Sequence, residues 1–416
     1  NGINYVTTKR ADYIAKIKGT GKLPWRAVVI SEKDTDLANN DMAQKLASPS
    51  RITDTSWIKP GKAAWDWWNS SNITHVDFKA GMNTQTFKYF IDFASANKLE
   101  YIVIDAGWSR RSLMEVTPTI DIKELTDYGK QKNVGVILWA SWSLADKEKN
   151  TAFPHYAQLG VKGFKVDFFD RDDQNMMQSV FEMAKVAADN KLLLDLHGMK
   201  AAGIQRTYPN VVNFEGVKGL ENFKWAPFVN GKIKDDAPRY DVIIPYVRML
   251  AGPMDYTPGA MKNATRETFR SVNSHPMSQG TRVHQMAMYT VFEAPLQMLA
   301  DSPTAYIQEQ ECTDFIAKVP TVFDETVVLD GEVGEYVVIA RKKGNVWYVG
   351  AMTNWTSREK TIDFSFLGEG DYEAEVFADG INSNVEATDY KKEIIRVSAK
   401  DKKAITMYQG GGWTAR

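Results

Sequence analysis

The run Gly163-Phe164-Lys165-Val166-Asp167-Phe168-Phe169-Asp170 stays apolar and β-branched until it stops on a carboxylate. Entered from Leu159-Gly160-Val161 and followed by a helix-like Gln174 to Ala188, it reads as a buried parallel strand that delivers Asp167 to its C-terminal end. A carboxylate among Val166, Phe168 and Phe169 is costly to bury unless paired, so Lys165, a metal or a catalytic duty would account for it. Capping the following helix is the alternative, purely structural reason for an acid here. A second stretch, Asn213-Phe214-Glu215-Gly216-Val217-Lys218-Gly219-Leu220-Glu221, sets two acids six residues apart around two glycines. That spacing does not stack them on one helix face; it suits a strand end running into a loop from which both converge on a cavity. With Asp167 they supply the minimum for glycoside hydrolysis, one carboxyl held protonated and another ionised. Surface glutamates are common, so a structural role for Glu215 and Glu221 stays open.

Aromatic residues accompany the acids. Ala64-Trp65-Asp66-Trp67-Trp68-Asn69, Gly107-Trp108 and Trp139-Ala140-Ser141-Trp142 all fall where apolar runs end. There an indole can pack on the C–H face of a pyranose while Asp66 and Asp105 accept hydrogen bonds from its hydroxyls. With 12 tryptophans in the chain several must be core, and Trp68 and Trp108 stand equally for either role. The five histidines form neither a His-x-His pair nor a His-Glu-x-x-His motif, which disfavours a zinc hydrolase. His197, after Leu192-Leu193-Leu194-Asp195-Leu196, reads as a hydrogen-bonding site residue, and the carboxylates suit a hard ion such as calcium. No Gly-x-Ser-x-Gly elbow, Gly-x-Gly-x-x-Gly or P-loop is present, so a serine nucleophile and a nucleotide cofactor are not indicated.

The elements that must position these groups alternate. Apolar runs at Trp25 to Ile30, Ala63 to Trp68, Tyr101 to Asp105, Val134 to Trp142, Gly163 to Phe169, Leu192 to His197 and Val211 to Glu215 are separated by amphipathic segments, the rhythm of βαβ units. The steps from Asp105 to Trp139, to Asp167 and to His197 are 34, 28 and 30 residues. A (β/α)8 barrel allots about 31 residues per unit, although a doubly wound sheet fits the spacing as well. Polar residues at the end of run after run (Asp66, Asp105, Trp139 with Ser141, Asp167, His197, Glu215, and Asp255 in Gly252-Pro253-Met254-Asp255-Tyr256) favour the barrel. Gly280 to Leu299, with Met286, Met288, Val291, Leu296 and Leu299 at helical spacing, reads as a final barrel helix. From Thr321 short alternating runs broken by Lys343-Gly344-Asn345 and Asp379-Gly380 indicate an antiparallel β domain. The expected division is 1–22 as the remnant of an upstream β-sandwich and its linker, 23–318 as the barrel, and 319–416 as the C-terminal β domain.

Composition bounds the partners. A net charge of -1 with no basic run interleaved with aromatics leaves no footprint for nucleic acid or an anionic membrane, and no apolar stretch reaches the length of a span. The single cysteine, Cys312, excludes an internal disulfide and a thiolate cluster. Residues 1–22 carry Ile3, Tyr5, Val6, Tyr13, Ile14 and Ile17, which are expected to belong with an upstream sandwich that would be a partner for the barrel.

A set of ordered motifs resembles glycoside hydrolase family 97. They are Asp54-Thr55-Ser56-Trp57-Ile58-Lys59-Pro60-Gly61-Lys62 with Ala64 to Trp68, Gly163 to Phe168, Arg206-Thr207-Tyr208-Pro209-Asn210, Glu215-Gly216 to Glu221, and Gly252 to Gly259. The resemblance runs from about Leu23 to the C-terminus and implies a catalytic barrel between an N-terminal β-sandwich and a C-terminal β domain, exo-acting on α-glycosides, with calcium in the site. Periplasmic or cell-envelope localisation in bacteria is typical of the family. Inverting members carry a Glu base directly after the histidine matching His197, where this chain has Gly198; retaining members carry an Asp nucleophile at the position of Asp167. The resemblance therefore implies a retaining α-galactosidase with Asp167 as nucleophile, Glu221 as acid/base, and Glu215 with Glu221 on the calcium. Asp66, Trp68, Asp105, Trp108, Trp139, Lys165, His197 and Asp255 are the expected substrate-binding residues. Lys200-Ala201-Ala202-Gly203 in place of the commoner Lys-Pro-Thr-Gly leaves the aglycone open; the sandwich that the resemblance implies donates a further calcium-ligating Glu is expected to be almost wholly missing from residues 1–416. A retaining hydrolase of β-L-arabinopyranosides and a non-catalytic sugar-binding fragment are the alternatives.

Overall fold

The computed structural model describes residues 12–13, 19–21, 26–169, 171, 173–199, 202–229 and 232–416. Six parallel strands follow one another around a sheet: β1 (Gly61–Trp65), β2 (Tyr101–Ile104), β3 (Gly135–Ser141), β4 (Gly163–Asp167), β5 (Leu193–Leu196) and β6 (Val211–Phe214). A seventh, β7 (Leu296–Leu299), pairs with β1, so the order is β7-β1-β2-β3-β4-β5-β6. The gap between β6 and β7 is filled by an irregular stave. Asp255 N–H donates to the Phe214 carbonyl at 3.1 Å on one side, and Ala300 N–H donates to the Pro258 carbonyl at 3.0 Å on the other. Pro253 and Pro258 have no N–H to give to a ladder, which explains why this eighth position is not a regular strand. The sheet closes on itself as a (β/α)8 barrel.

Helices α1 (Thr84–Ala96), α2 (Ile122–Lys132), α3 (Trp142–Leu159) and α4 (Gln174–Asp189) cross outside the sheet. Each buries one stripe, such as Phe87, Phe90, Ile91 and Ala94 of α1, against outward-facing Ile102, Ile104, Leu138, Phe164 and Val166 of the strands. The cap of α4 is Asp173, whose side chain accepts the N–H of Met176 at 3.0 Å. Asp167 therefore has no capping duty.

Three expectations need correction. Residues 26–30 form no strand: Val28 and Ile30 are 84% and 91% exposed, and every stave of the barrel is taken by residues 61–300. Trp25 lies outside the described residues, as do Ile3, Tyr5, Val6, Ile14 and Ile17 of the expected sandwich remnant; Tyr13 is described and exposed. The stretch read as a last barrel helix is two elements, α5 (Arg282–Val291) and the closing strand β7, so Leu296 and Leu299 belong to the sheet. Asp379-Gly380 is no tight hairpin, because the antiparallel partner of the strand it ends begins only at Tyr390.

The C-terminal strands are β8 (Glu325–Glu332), β9 (Tyr336–Lys343), β10 (Val346–Thr353), β11 (Arg358–Asp363), β12 (Asp371–Asp379), β13 (Tyr390–Ser398), β14 (Lys402–Met407) and β15 (Gly412–Ala415). They make a six-stranded antiparallel sheet, β8-β9-β10-β15-β12-β13, and a β11-β14 pair. Every residue of α5 is buried, which a helix between a barrel and a sheet requires. Gly350 and Gly412 let the sheet come close to it: a Cβ at Gly350 would lie 2.9 Å from the Ala287 carbonyl oxygen, and one at Gly412 2.9 Å from His284 backbone atoms. Thr281 at the start of α5 donates its hydroxyl to Asp379 at 2.6 Å, fastening helix to sheet.

Candidate active site

Alternation along β4 sends Phe164 and Val166 outward to the helices and Lys165 and Asp167 inward. Register places Trp139 of β3 and Asp195 of β5 on either side of Lys165, and Ser141 beside Asp167. Lys165 is buried; its ammonium donates to Asp105 at 2.9 Å and lies 4.1 Å from the centre of the Trp65 ring. Burial pulls its pKa down most strongly, but the carboxylates of Asp105, Glu221, Asp167 and Asp255 together outweigh it and hold the ammonium protonated above the ordinary lysine range. Four of the sequence-derived site residues thus act on one buried cation.

Asp105 also accepts the indole N–H of Trp65 at 2.6 Å and the N–H of Ala106 at 2.8 Å. Burial acts to raise it, and Lys165 with these donors reverses the sign and keeps it below the usual carboxylate range. Asp66 is its opposite. Buried next to Asp105, and accepting the Asp105 N–H at 3.0 Å, it is pushed well up by desolvation and then by the neighbouring charge. Asp66 is therefore the member of this pair that protonates more readily, and in that form it can donate to a sugar oxygen.

Across the barrel His197 is buried with Nε2 2.6 Å from Asp255 Oδ2 and 3.4 Å from Asp195 Oδ2, and Nδ1 3.9 Å from Glu215 Oε2. Burial and Lys165 press its pKa down, yet Asp195 and Glu215 raise it well above the ordinary value, favouring the protonated ring. Glu215 is buried and accepts the N–H of Gly198 at 2.7 Å. Glu221 opens the 3-10 helix Leu220–Trp225, and its ligand atom lies with those of His197 and Glu215 in a group within 4.8 Å. Burial first, then the charge of Glu215, push Glu221 up to about 8.

Asp167 ends β4. Its Oδ1 accepts the Phe168 N–H at 2.6 Å, and its Oδ2 the Trp139 indole N–H at 3.4 Å. Phe168 sits at φ 65°, a conformation bulky side chains avoid, with its ring 65% exposed and edge-on to Trp139 at 5.7 Å. Trp139 is half-buried and faces the carboxyls. Trp108 is corrected to a core residue: it is fully buried, donates its N–H to the Trp139 carbonyl at 2.7 Å and packs edge-on against Tyr156, so it holds Trp139 and presents no face to a sugar. Trp68 is likewise buried in the barrel core, leaving Trp67 of the same motif partly exposed.

Three residues that sequence reasoning passed over complete the site. Asp195 was hidden inside the apolar run Leu192 to Leu196, where period-2 alternation was its only signal. Arg248 is buried and donates to the carbonyls of Phe214, Glu215, Gly216, Gly252 and Pro253 at 2.7–3.2 Å. It ties the Glu215 turn to the irregular stave that carries Asp255, and nothing in its local sequence signals that. Trp225, half exposed at the end of the helix that Glu221 opens, has only its spacing from Glu221 to mark it.

Two family models match the chain, glycoside hydrolase 97 over residues 67–217 and the glycosyl-hydrolase 97 C-terminal, oligomerisation model over residues 322–416. A curated retaining alpha-galactosidase of Bacteroides thetaiotaomicron is 49% identical over 421 residues, covering 100% of this chain. The chain belongs to glycoside hydrolase family 97. It spans 63% of the length of that relative. A family 97 enzyme solved with acarbose from Pseudoalteromonas sp. strain K8 superposes with a TM-score of 0.82 at 30% identity, covering 92% of this chain and 64% of the other. A β-arabinopyranosidase at 24% identity and TM-score 0.73, covering 92% of this chain and 60% of its own, shares the fold. As a family 97 chain it has the expected architecture, a barrel followed by an antiparallel β domain. Among the described residues no helix is long and apolar enough to cross a membrane.

Proposed function

We propose that this chain carries the active site of an exo-acting, retaining α-galactosidase. In the first step an Asp167 oxygen attacks the anomeric carbon as its bond to the leaving oxygen breaks, and Glu221 gives that oxygen its proton. In the second step Glu221 takes a proton from water, the water oxygen bonds to the anomeric carbon, and Asp167 leaves. Two inversions return the α configuration. Lys165 offsets negative charge at the Asp167 end, and Asp66 and Asp105 face the sugar hydroxyls as donor and acceptor.

The observation that carries the retaining reading is the backbone at Gly198. It has φ 76°, a left-handed backbone conformation that L side chains rarely adopt, so the position that would bear an inverting base disfavours a side chain. The identity to a retaining α-galactosidase supports galactose as the sugar. Proton NMR of early hydrolysis of nitrophenyl α-galactoside is expected to show α-galactose first, with β-L-arabinopyranoside and α-glucoside turned over more slowly. First appearance of the β anomer sinks the mechanism, and preference for another glycoside sinks the sugar assignment.

Calcium fits the donor set. Glu215 and Glu221 bring hard oxygen donors into a group within 4.8 Å, and their mutual repulsion, which holds Glu221 up, is what a cation would relieve. Bound to these two, calcium would supply fixed positive charge beside the acid. Chelation is expected to lower both activity and melting temperature, and added calcium to restore them. Full activity and unchanged melting in a strong chelator, with no metal by elemental analysis, would remove calcium from the site.

A further inference from the structure

The 3-10 helix that starts with Leu220-Glu221 ends on Trp225, four residues beyond the acid and so little more than one turn away. Trp225 is 52% exposed, yet it is held in place: its indole N–H donates to Asn273 Oδ1 at 3.0 Å, and Ser70 in turn donates to the Asn273 carbonyl at 3.2 Å. Its ring meets Trp67 edge to face at 5.4 Å and 69°. Trp67 stacks on Trp65 at 5.7 Å and 20°, and Trp65 carries the Lys165 ammonium on its ring. Lys224 fixes Trp67 further, with Nζ 4.2 Å from the ring centre and donating to the Trp67 carbonyl at 3.2 Å. A chain of indole contacts thus runs from the ring beneath Lys165 to exposed Trp225, which shares its 3-10 helix with Glu221. Beyond its edge contact with Trp67, the half-exposed ring of this anchored tryptophan has apolar area open to a ligand among the described residues.

We propose that the Trp225–Trp67 shelf is the leaving-group subsite and receives the C–H face of a pyranose, so that the substrates are galactosyl oligosaccharides and not galactosides of small alcohols. The proposal rests on the assignment of Glu221 as proton donor. A donor acts on the leaving oxygen, so whatever that oxygen carries must lie on the Glu221 side of the bond being broken. The pair of half-buried Trp139 and exposed Phe168 is on the Asp167 side and cannot serve it.

The test compares kcat/KM for an α-1,6-linked galactosyl-glucose disaccharide with that for α-galactosyl fluoride, whose leaving group is too small to reach the shelf. In Trp225→Ala the disaccharide-to-fluoride ratio is expected to fall about fivefold to tenfold, and in Trp225→Phe by less than about threefold. Calorimetric affinity for the disaccharide relative to galactose, measured in Asp167→Gly and in Asp167→Gly with Trp225→Ala, is expected to fall by the same factor without turnover. If a different sugar proves to be the one released, its own fluoride and disaccharide make the same comparison; failure of the galactose reading then shows in the choice of sugar, and failure of the shelf in the ratio. Equal losses on both substrates, no loss on either, or a Trp225→Ala effect confined to association between copies of the chain would overturn the proposal.

Discussion

Asp167→Gly is expected to lower kcat by about 10³-fold or more, because the group that forms the covalent intermediate is gone and no other carboxylate can take its place. The variant should still fold. Among the described residues Asp167 accepts hydrogen bonds from the Phe168 N–H and the Trp139 indole, and Lys165 keeps its direct Asp105 partner, so the loss should be modest, about 1 kcal/mol. Asp105→Ala is the contrasting control, since it strands the buried Lys165 ammonium and should cost about 3 to 5 kcal/mol of stability. Azide added to Asp167→Gly should restore turnover: it enters from the face the carboxyl has vacated and bonds to the anomeric carbon as the leaving oxygen departs with the Glu221 proton. One inversion instead of two makes the product β-galactosyl azide. Recovery of α-galactosyl azide, or a variant that keeps wild-type turnover, would show that Asp167 is not the nucleophile.

How far the sequence announces this site depends on the physics behind each residue. Asp105, Asp167, His197 and Glu215 were legible because an acid or imidazole at the end of an apolar run contradicts burial, and the contradiction is visible in one dimension. The barrel was legible for the same reason together with the spacing of the runs. The irregular stave was legible only as its residue Asp255, because two prolines hide a strand position from any propensity argument. Which tryptophan of Trp65-Asp66-Trp67-Trp68 reaches the cleft could not be read, since the chain turns immediately after β1 and alternation no longer sorts faces. Trp108 shows the limit most plainly: its neighbourhood in sequence is that of a site, yet its ring is spent on Tyr156. Arg248 had no signal, because its acceptors are backbone carbonyls on two segments that meet only in the folded barrel.

Glu221→Gln should divide substrates by their need for a proton. For a galactosyl disaccharide, whose leaving alkoxide is strongly basic, kcat/KM is expected to fall about 10²- to 10⁴-fold. α-Galactosyl fluoride departs without a proton, so its first step should survive, leaving the slow release of galactose from Asp167 to limit turnover. Azide needs no deprotonation and should relieve that second step; because it attacks the galactosyl–Asp167 intermediate, the product is α-galactosyl azide, the opposite anomer to that from Asp167→Gly. The pH profile carries the same assignment. Burial and then the Glu215 charge disfavour the ionised form of Glu221 and place its pKa at about 8. The acid works only while protonated, so kcat/KM for the disaccharide should decline on the alkaline side, near pH 8 without calcium and at lower pH with calcium bound, and this limb should be missing from Glu221→Gln and from the fluoride profile of the wild type. Equal losses on fluoride and disaccharide, or an alkaline limb that persists in Glu221→Gln, would move the acid/base role to another residue, with Asp66, raised by burial and by the Asp105 charge, next in line.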